Sequence, residues 1–433
     1  MTNILWPGSN NWSLTQKIIF RFIFLYFGLF IAPWTWIEYI PYVDSIVKYH
    51  YQFVDWAVHA SDKYLFHNYK TLVSPNGSGD TSYNWTQLWL CLLLSFVGCI
   101  IWSFLDRTRS QYNRLGYWLR IFVRYFLIIN SFDYGLQKLF LLQMHFPRMN
   151  QLLTPLGDFS PGGLTWAYMG YSGTYQFFSG AMEVLAGSLL LFRRTSGFGA
   201  LLGAAVFGNV MMMNLGYDIA VKLFSIHLFV MCLFLLAFEY KRILGFLFNQ
   251  PTTAANLYSV WFPEKWMRIT RVILKCLFVV IFFIKPFKSY YGYYKLESNP
   301  KEIKPIRSGL YDVSVFVLNK DTIPPLITDT LRWQDLVFEY GRGSIKTTDT
   351  IFMQSNHRGY FRYTADTIKQ EVEFKKTNDD GQRILIFRLK YELPDSNTIH
   401  LRGMIRKDSV FVQLKKSKRY FKLSKRQFHW LTN

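Results

Sequence analysis

Residues 86–105 read TQLWLCLLLSFVGCIIWSFL. The stretch holds no charged side chain, and it has the length a helix needs to cross a bilayer, about 20 residues. Six further apolar windows fall at residues 17–36, 117–140, 174–192, 197–215, 222–240 and 270–287. Together they predict an α-helical transmembrane bundle of about seven spans. Aromatic residues make up 19% of the chain and crowd the ends of these windows. Such amphipathic rings favour the membrane–water interface. The first window lacks a small-residue cleavage site, so it is expected to stay as an anchor and not be removed as a signal peptide.

The charged flanks predict an orientation. Lys17 and Arg21 mark the start of the first window, and Arg107, Arg109 and Arg114 lie between the second and third. Arg193 and Arg194 separate the fourth and fifth, and Lys241, Arg242, Lys265, Arg268 and Arg271 separate the sixth and seventh. With seven spans these groups share one side, which the positive-inside rule makes cytoplasmic. The other side carries fewer, among them Lys48, Lys63, Lys70 and Arg148. The N-terminus is then cytoplasmic, and the chain after the seventh span is outside.

The first external loop, residues 37–85, holds Val43, Ile46, Val47, Tyr51, Val54 and Val58 at helical spacing, as an interfacial amphipathic helix would. The turn-rich residues 74–80 lead back to the membrane. The second external loop, residues 143–173, is too rich in Pro and Gly for one regular helix.

After Pro286 the apolar period changes from 3.6 to 2. Residues 310–317, 384–391 and 410–414 alternate, with turn signals at 378–381, 394–397 and 406–409. About eight short antiparallel strands are expected, closing as a small all-β barrel or packing as a sandwich. The predicted domains are 1–85 (anchor helix and external loop), 86–245 (membrane core), 246–290 (cytoplasmic loop and last span) and 291–433 (extracytoplasmic β-rich domain).

The net charge of +21 over 433 residues has no nucleic-acid-binding motif to go with it. Anionic lipid headgroups account for it more simply, so membrane lipids are the expected partner and nucleic acid is not. The four cysteines, Cys91, Cys99, Cys232 and Cys276, all fall in predicted helices and form no CxxC pair. Neither a disulfide framework nor a metal site is expected.

Polar residues inside the windows are costly and mark a packed interior or a site. In the third window Arg120, Arg124, Ser131 and Lys138 share one face, with Asn130, Asp133 and Gln137 beside it. Arg120 and Arg124 are expected to snorkel to the headgroups. Glu183 lies mid-window among small residues and must be protonated or paired, with Lys138, Arg124, Lys222 and His227 all open as partners. Asn209, Asn214, Asp218, Lys222 and His227 follow in the fifth and sixth windows, Asp218 and Lys222 at the spacing of a helical ion pair. The candidate buried polar cluster is thus Asp133, Gln137, Lys138, Glu183, Asn209, Asn214, Asp218, Lys222 and His227. No catalytic motif assigns any of them a reaction. The Gly199–Gly203 spacing matches a small-residue helix-packing pattern.

Three sets of residues resemble the DoxX-like integral membrane proteins of bacteria. They are Asp133-Tyr134-Gly135-Leu136-Gln137-Lys138, residues 155–161 with Met169-Gly170-Tyr171-Ser172, and the runs 183–195 and 209–223 followed by His227. The similarity covers about residues 86–245. It implies a helical-bundle core in the bacterial cytoplasmic (inner) membrane, with an association with quinone-linked or thiol redox complexes. The first and last spans and the β-rich domain are additions to the small members of that family, and no paired-cysteine centre is present.

Two functions are expected. One is a component of a membrane complex that binds a lipophilic small molecule, with quinone as the cofactor class, or a redox partner. The other is a non-enzymatic scaffold whose external domain recruits a periplasmic or secreted protein. Residues 288–433 carry 27 Lys and Arg against 16 Asp and Glu, a net of +11. A transporter is less favoured, because no inverted repeat or pair of broken spans is evident.

Overall fold

The computed structural model describes residues 11–39, 44–67, 71–77, 79–249, 264–299, 305–326, 331–349, 352–377 and 382–425. Two compact units divide the chain. The first comprises Met1–Met144 and Ser172–Tyr294, the second His145–Tyr171 and Lys295–Asn433.

The first unit is helical. Its elements are α1 (Leu14–Ile31), α2 (Asp44–Ser61), α3 (Ser82–Leu105) and α4 (Asn113–Leu139). The short α5 (Met149–Leu153) and α6 (Pro161–Tyr171), which belong to the second unit, come next in the chain. The first unit resumes with α7 (Gly173–Leu191), α8 (Ser196–Gly216), α9 (Lys222–Leu236), α10 (Tyr240–Leu247) and α11 (Lys265–Val279). A π-turn at Val280–Ile284 joins α11 to α12 (Lys285–Ser298). A helix therefore lies at each of the seven apolar windows. Among the described residues three stretches, Leu14–Tyr39, Ser82–Leu105 and Ser196–Gly216, are long and apolar enough to cross a membrane. Counting α9 and α10 as one span bent by 79° makes four. Helix α4 is long enough, about 40 Å at 1.5 Å per residue, but carries Arg114, Arg120, Arg124, Asp133 and Lys138. On α3 Leu94, Phe96, Ile101, Phe104 and Leu105 are exposed, whereas Thr86 and Ser95 are buried. Water does not favour so continuous an apolar face.

Local chemistry sets the helix ends. Ser13 and Gln16 cap α1 reciprocally, at 2.9 and 3.2 Å, and α1 stops at the left-handed Ala32 before Pro33. Thr81 caps α3 and Ser172 caps α7. Helix α2 covers the amphipathic stretch and buries Val47 and Val58, while Ile46 and Tyr51 are exposed; Val43 lies outside the described residues. Phe20, Val123, Leu127, Leu190, Ala200 and Met231 centre the core shared by α1, α4, α7, α8 and α9. The closest approach is α4 against α7. A Cβ on Gly180 would lie 2.6 Å from the Gly135 carbonyl oxygen, and one on Gly187 would lie 2.9 Å from the Ser131 Cβ. Glycine at both positions allows that approach. Gly199 and Gly203 do the same against α7 and α9.

Among the described residues the second unit has nine strands: β1 (Gly309–Leu318), β2 (Asp321–Thr322), β3 (Asp335–Glu339), β4 (Arg342–Lys346), β5 (Arg358–Asp366), β6 (Glu371–Thr377), β7 (Arg383–Asp395), β8 (Thr398–Ile405) and β9 (Asp408–Lys416). A last short helix, α13 (Lys422–Lys425), follows. Strands β3 to β9 pair antiparallel in chain order, and β1 pairs with β3 through Gly309–Asp312 and with β9 through Tyr311–Leu318. The two-residue β2 only extends β1. The result is a closed eight-stranded antiparallel barrel. Trp333, Phe338, Phe361, Tyr363, Phe374 and Phe387 fill its interior, as an eight-stranded barrel has room for side chains and little else. The turns at 394–397 and 406–409 join β7 to β8 and β8 to β9; that at 378–381 lies outside the described residues.

Residues 145–171, grouped by sequence with the membrane core, lie in the barrel unit. The Ser344 hydroxyl donates to Asn150 Oδ1 at 2.6 Å, and the Met149 amide donates to Glu339 at 3.5 Å. Arg358 supports the same corner, donating to the Ser344 hydroxyl at 2.6 Å and pairing with Asp335.

Candidate functional site

Where α4 and α7 meet through their glycines, the two side chains that flank the crossing face each other. Lys138 Nζ lies 2.7 and 2.9 Å from the two oxygens of Glu183. Their side chains are 6% and 1% exposed. Of the four partners open to Glu183, Lys138 holds it. Tyr134 sets its ring 5.7 Å from the same ammonium. One helical turn back, Gln137 donates to Asp133 at 3.1 Å, and the Tyr290 hydroxyl of α12 donates to the other Asp133 oxygen at 2.5 Å.

His227 sits apart, on α9. Its Nδ1 is 2.6 Å from the Leu223 carbonyl. A carbonyl only accepts, so Nδ1 carries the proton and Nε2 is left as an acceptor. The Tyr26 hydroxyl of α1 fills it at 2.6 Å. Phe30 stacks on the imidazole at 3.9 Å with the rings 4° from parallel. Tyr26 and His227 thus form a hydrogen-bonded pair with Phe30 stacked on the imidazole.

The remaining candidates have local roles. Asp218 and Lys222 pair at 2.6 Å, though not along a helix as their spacing predicts. Asp218 has a positive φ of 50°, so the pair closes across the turn that precedes α9. Lys222 also faces Asp80 at 3.7 Å. Asp80 accepts from the Lys222 and Leu223 amides at 2.7 and 2.9 Å, which caps the start of α9. Asn214 is buried and reaches the Val221 carbonyl at 3.5 Å. Asn209 is exposed on α8. The nine residues therefore do not form one cluster. Three direct pairs, Lys138–Glu183, Asp133–Gln137 and Asp218–Lys222, stand beside the separate His227, Asn214 and Asn209.

Three residues outside the sequence-derived set matter. Tyr26 completes the hydrogen bonding of His227, and Asp80 caps α9. Arg21, read from sequence as a flanking charge, is 2% exposed. It donates to the Tyr112 hydroxyl at 2.9 and 2.7 Å, to Ser103 at 2.8 Å and to the Asp106 carbonyl at 2.7 Å. These bonds pin the start of α1 to the end of α3 and the start of α4. Burial raises the Asp106 carboxyl, but hydrogen bonds from Tyr112 and Trp102 and the charges of Arg109 and Arg21 outweigh it and hold the group below its usual range. The sequence signal available for these contacts was a polar residue inside an apolar window. The partners lie 91 and 201 positions away.

Arg120 and Arg124 are half-buried, and the Nε atom of each is buried. Among the described residues no group of three or more His, Cys, Asp and Glu gathers at metal-binding distance, and the four cysteines are free thiols.

No family model matches the chain, and no solved structure matches it. The chain is 36% identical over 131 residues to YwoB of Bacillus subtilis (strain 168), described as an uncharacterized protein. The match covers 30% of this chain and 81% of YwoB. The chain belongs to the family of YwoB.

Proposed function

We propose that the chain is a polytopic protein of the bacterial cytoplasmic membrane, DoxX-like in its core. In this reading it has seven spans, a cytoplasmic N-terminus and the barrel outside. It serves a membrane complex by holding a lipophilic molecule of the quinone class in its helical unit. The seven helices at the seven windows support the span count. Contacts of Arg21 with Asp106, and of Arg120 with the Phe238 ring at 4.6 Å, gather the basic helix ends, which supports the orientation.

The observation that carries the ligand reading is the Tyr26–His227 pair. Its phenolic oxygen keeps acceptor capacity for a quinol hydroxyl, and the imidazole behind it is in the tautomer that takes the phenolic proton. Glu183 is less suited to that role than its sequence position implies, because Lys138 already occupies both of its oxygens. Extraction and mass spectrometry of protein purified in mild detergent test the reading. About one quinone per chain is expected in the parent protein, with lower occupancy in Tyr26→Phe. Absence of any stoichiometric lipophilic molecule overturns it.

A second reading, a scaffold that recruits a periplasmic or secreted protein, is favoured by the barrel. Aromatic side chains fill its interior, and its part of the chain has a net positive charge, so in this reading a protein partner docks on the outer surface. Crosslinking in native membranes tests it: an acidic protein trapped on the barrel supports the scaffold, and no trapped protein contradicts it.

A further inference from the structure

Arg120 and Arg124 lie one turn apart on the first half of α4, a spacing that puts both side chains on one face. The Nε atom of each is buried and has no hydrogen-bond partner. Each guanidinium rests on an aromatic ring, Arg120 at 4.6 Å from the centroid of Phe238 and Arg124 at 5.6 Å from that of Tyr125. More positive charge surrounds them. Arg193, on the turn between α7 and α8, is within electrostatic reach of both. Lys275 of α11, set 4.1 Å over the Phe192 ring, is within reach of Arg124 and Arg271. Glu239 acts on Arg120, yet it is already engaged by Arg242 at 2.7 Å. Cations from α4, from the α7–α8 turn and from α11 thus act on one another, and the buried Nε donors of Arg120 and Arg124 lie among them.

Like charges packed together with idle buried donors are unfavourable unless an anion joins them. We propose that this cluster binds a phosphate-class anion, seated between Arg120, Arg124, Arg193 and Lys275. Guanidinium forks match phosphate oxygens in pairs, and an anion there gives both idle Nε donors an acceptor. The rings of Phe192, Phe238 and Tyr125 provide apolar walls that strengthen those bonds. In the proposed orientation the cluster lies at the basic end of the helices, the level of lipid phosphates in an anionic leaflet. The anion is therefore either the phosphodiester of an anionic lipid or free phosphate. The inference is independent of the quinone reading, because it uses none of the same side chains.

The full-length protein is to be placed in nanodiscs of phosphatidylcholine with or without phosphatidylglycerol, and lipid retention read by native mass spectrometry. In parallel, inorganic phosphate is titrated against the detergent-purified protein with thermal stability as the readout. One phosphatidylglycerol retained at least about tenfold more strongly than phosphatidylcholine supports the site with lipid as its source. Saturable phosphate binding without that preference supports it with free phosphate as the source. In either case the Arg120→Gln, Arg124→Gln pair is expected to weaken binding about tenfold or more. Should that pair fail to fold, Arg193→Gln with Lys275→Gln applies the same test from the more exposed side of the cluster. No binding in either arm, or binding undiminished in a folded variant pair, overturns the proposal.

Discussion

Lys138 and Glu183 illustrate how burial changes the worth of a charge. An exposed ion pair contributes little, but removing one member of a buried pair strands the other away from water. Lys138→Met or Glu183→Leu alone is expected to destabilise the helical unit by roughly 3–5 kcal/mol, whereas the double replacement costs far less. A double-mutant cycle on thermal unfolding in neutral detergent checks this. Equal and additive losses contradict a direct pair. In the barrel, Glu339 shows the linkage to pH. Burial raises its carboxyl, and the Met149 amide with Arg148 and Arg342 only partly offsets this. The folded state then binds the proton more tightly than the unfolded one. Its contribution is fully present below the ordinary carboxylate value, about pH 4.3, and is lost as pH rises through the higher folded value. Glu339→Gln is expected to flatten that fall in barrel stability, read by near-ultraviolet circular dichroism melts. An unchanged pH profile contradicts the assignment.

At the scale of elements, glycine and caps decide the geometry. A Cβ on Gly180 meets the α4 backbone at 2.6 Å and the Lys138 Cβ at 2.7 Å. Gly180→Val is therefore expected to cost about 1–3 kcal/mol or more by forcing α4 and α7 apart, and to weaken the Lys138–Glu183 contact with it. Asp80→Ala removes the acceptor of two amides at the start of α9, for a loss of about 1 kcal/mol. Thermal melts of each variant measure both. Much of this level is legible in the sequence, because helix and strand periods are local. The apolar windows find the helices, and alternation finds β1, β7 and β9. Contacts between elements are less legible. Arg21 lies in an apolar window near its basic start, and nothing within four residues of it announces Ser103, Asp106 or Tyr112. Asp218 and Lys222 have helical spacing, but the positive φ of Asp218 breaks the helix between them. The choice of barrel over sandwich rests on β1 pairing with β9, some hundred residues apart in the chain, which alternation alone does not reveal.

At the scale of the whole molecule, two units divide the labour. The helical unit has an apolar core and apolar exposed faces as well, with the Lys138–Glu183 pair buried between α4 and α7. The barrel unit keeps its rings inside, and its part of the chain carries an excess of Lys and Arg. It also takes in residues 145–171, a segment that the family resemblance over residues 86–245 grouped with the membrane core. The central claim is that the helical unit crosses the membrane and carries the barrel to its outer side. Ile368, 93% exposed on the turn between β5 and β6, offers a direct position to probe. An Ile368→Cys variant, expressed in cells and treated with a membrane-impermeant maleimide, is expected to label at the introduced thiol in intact spheroplasts as fully as in lysed ones. Labelling at that position only after lysis contradicts the orientation and leaves the barrel in the cytoplasm.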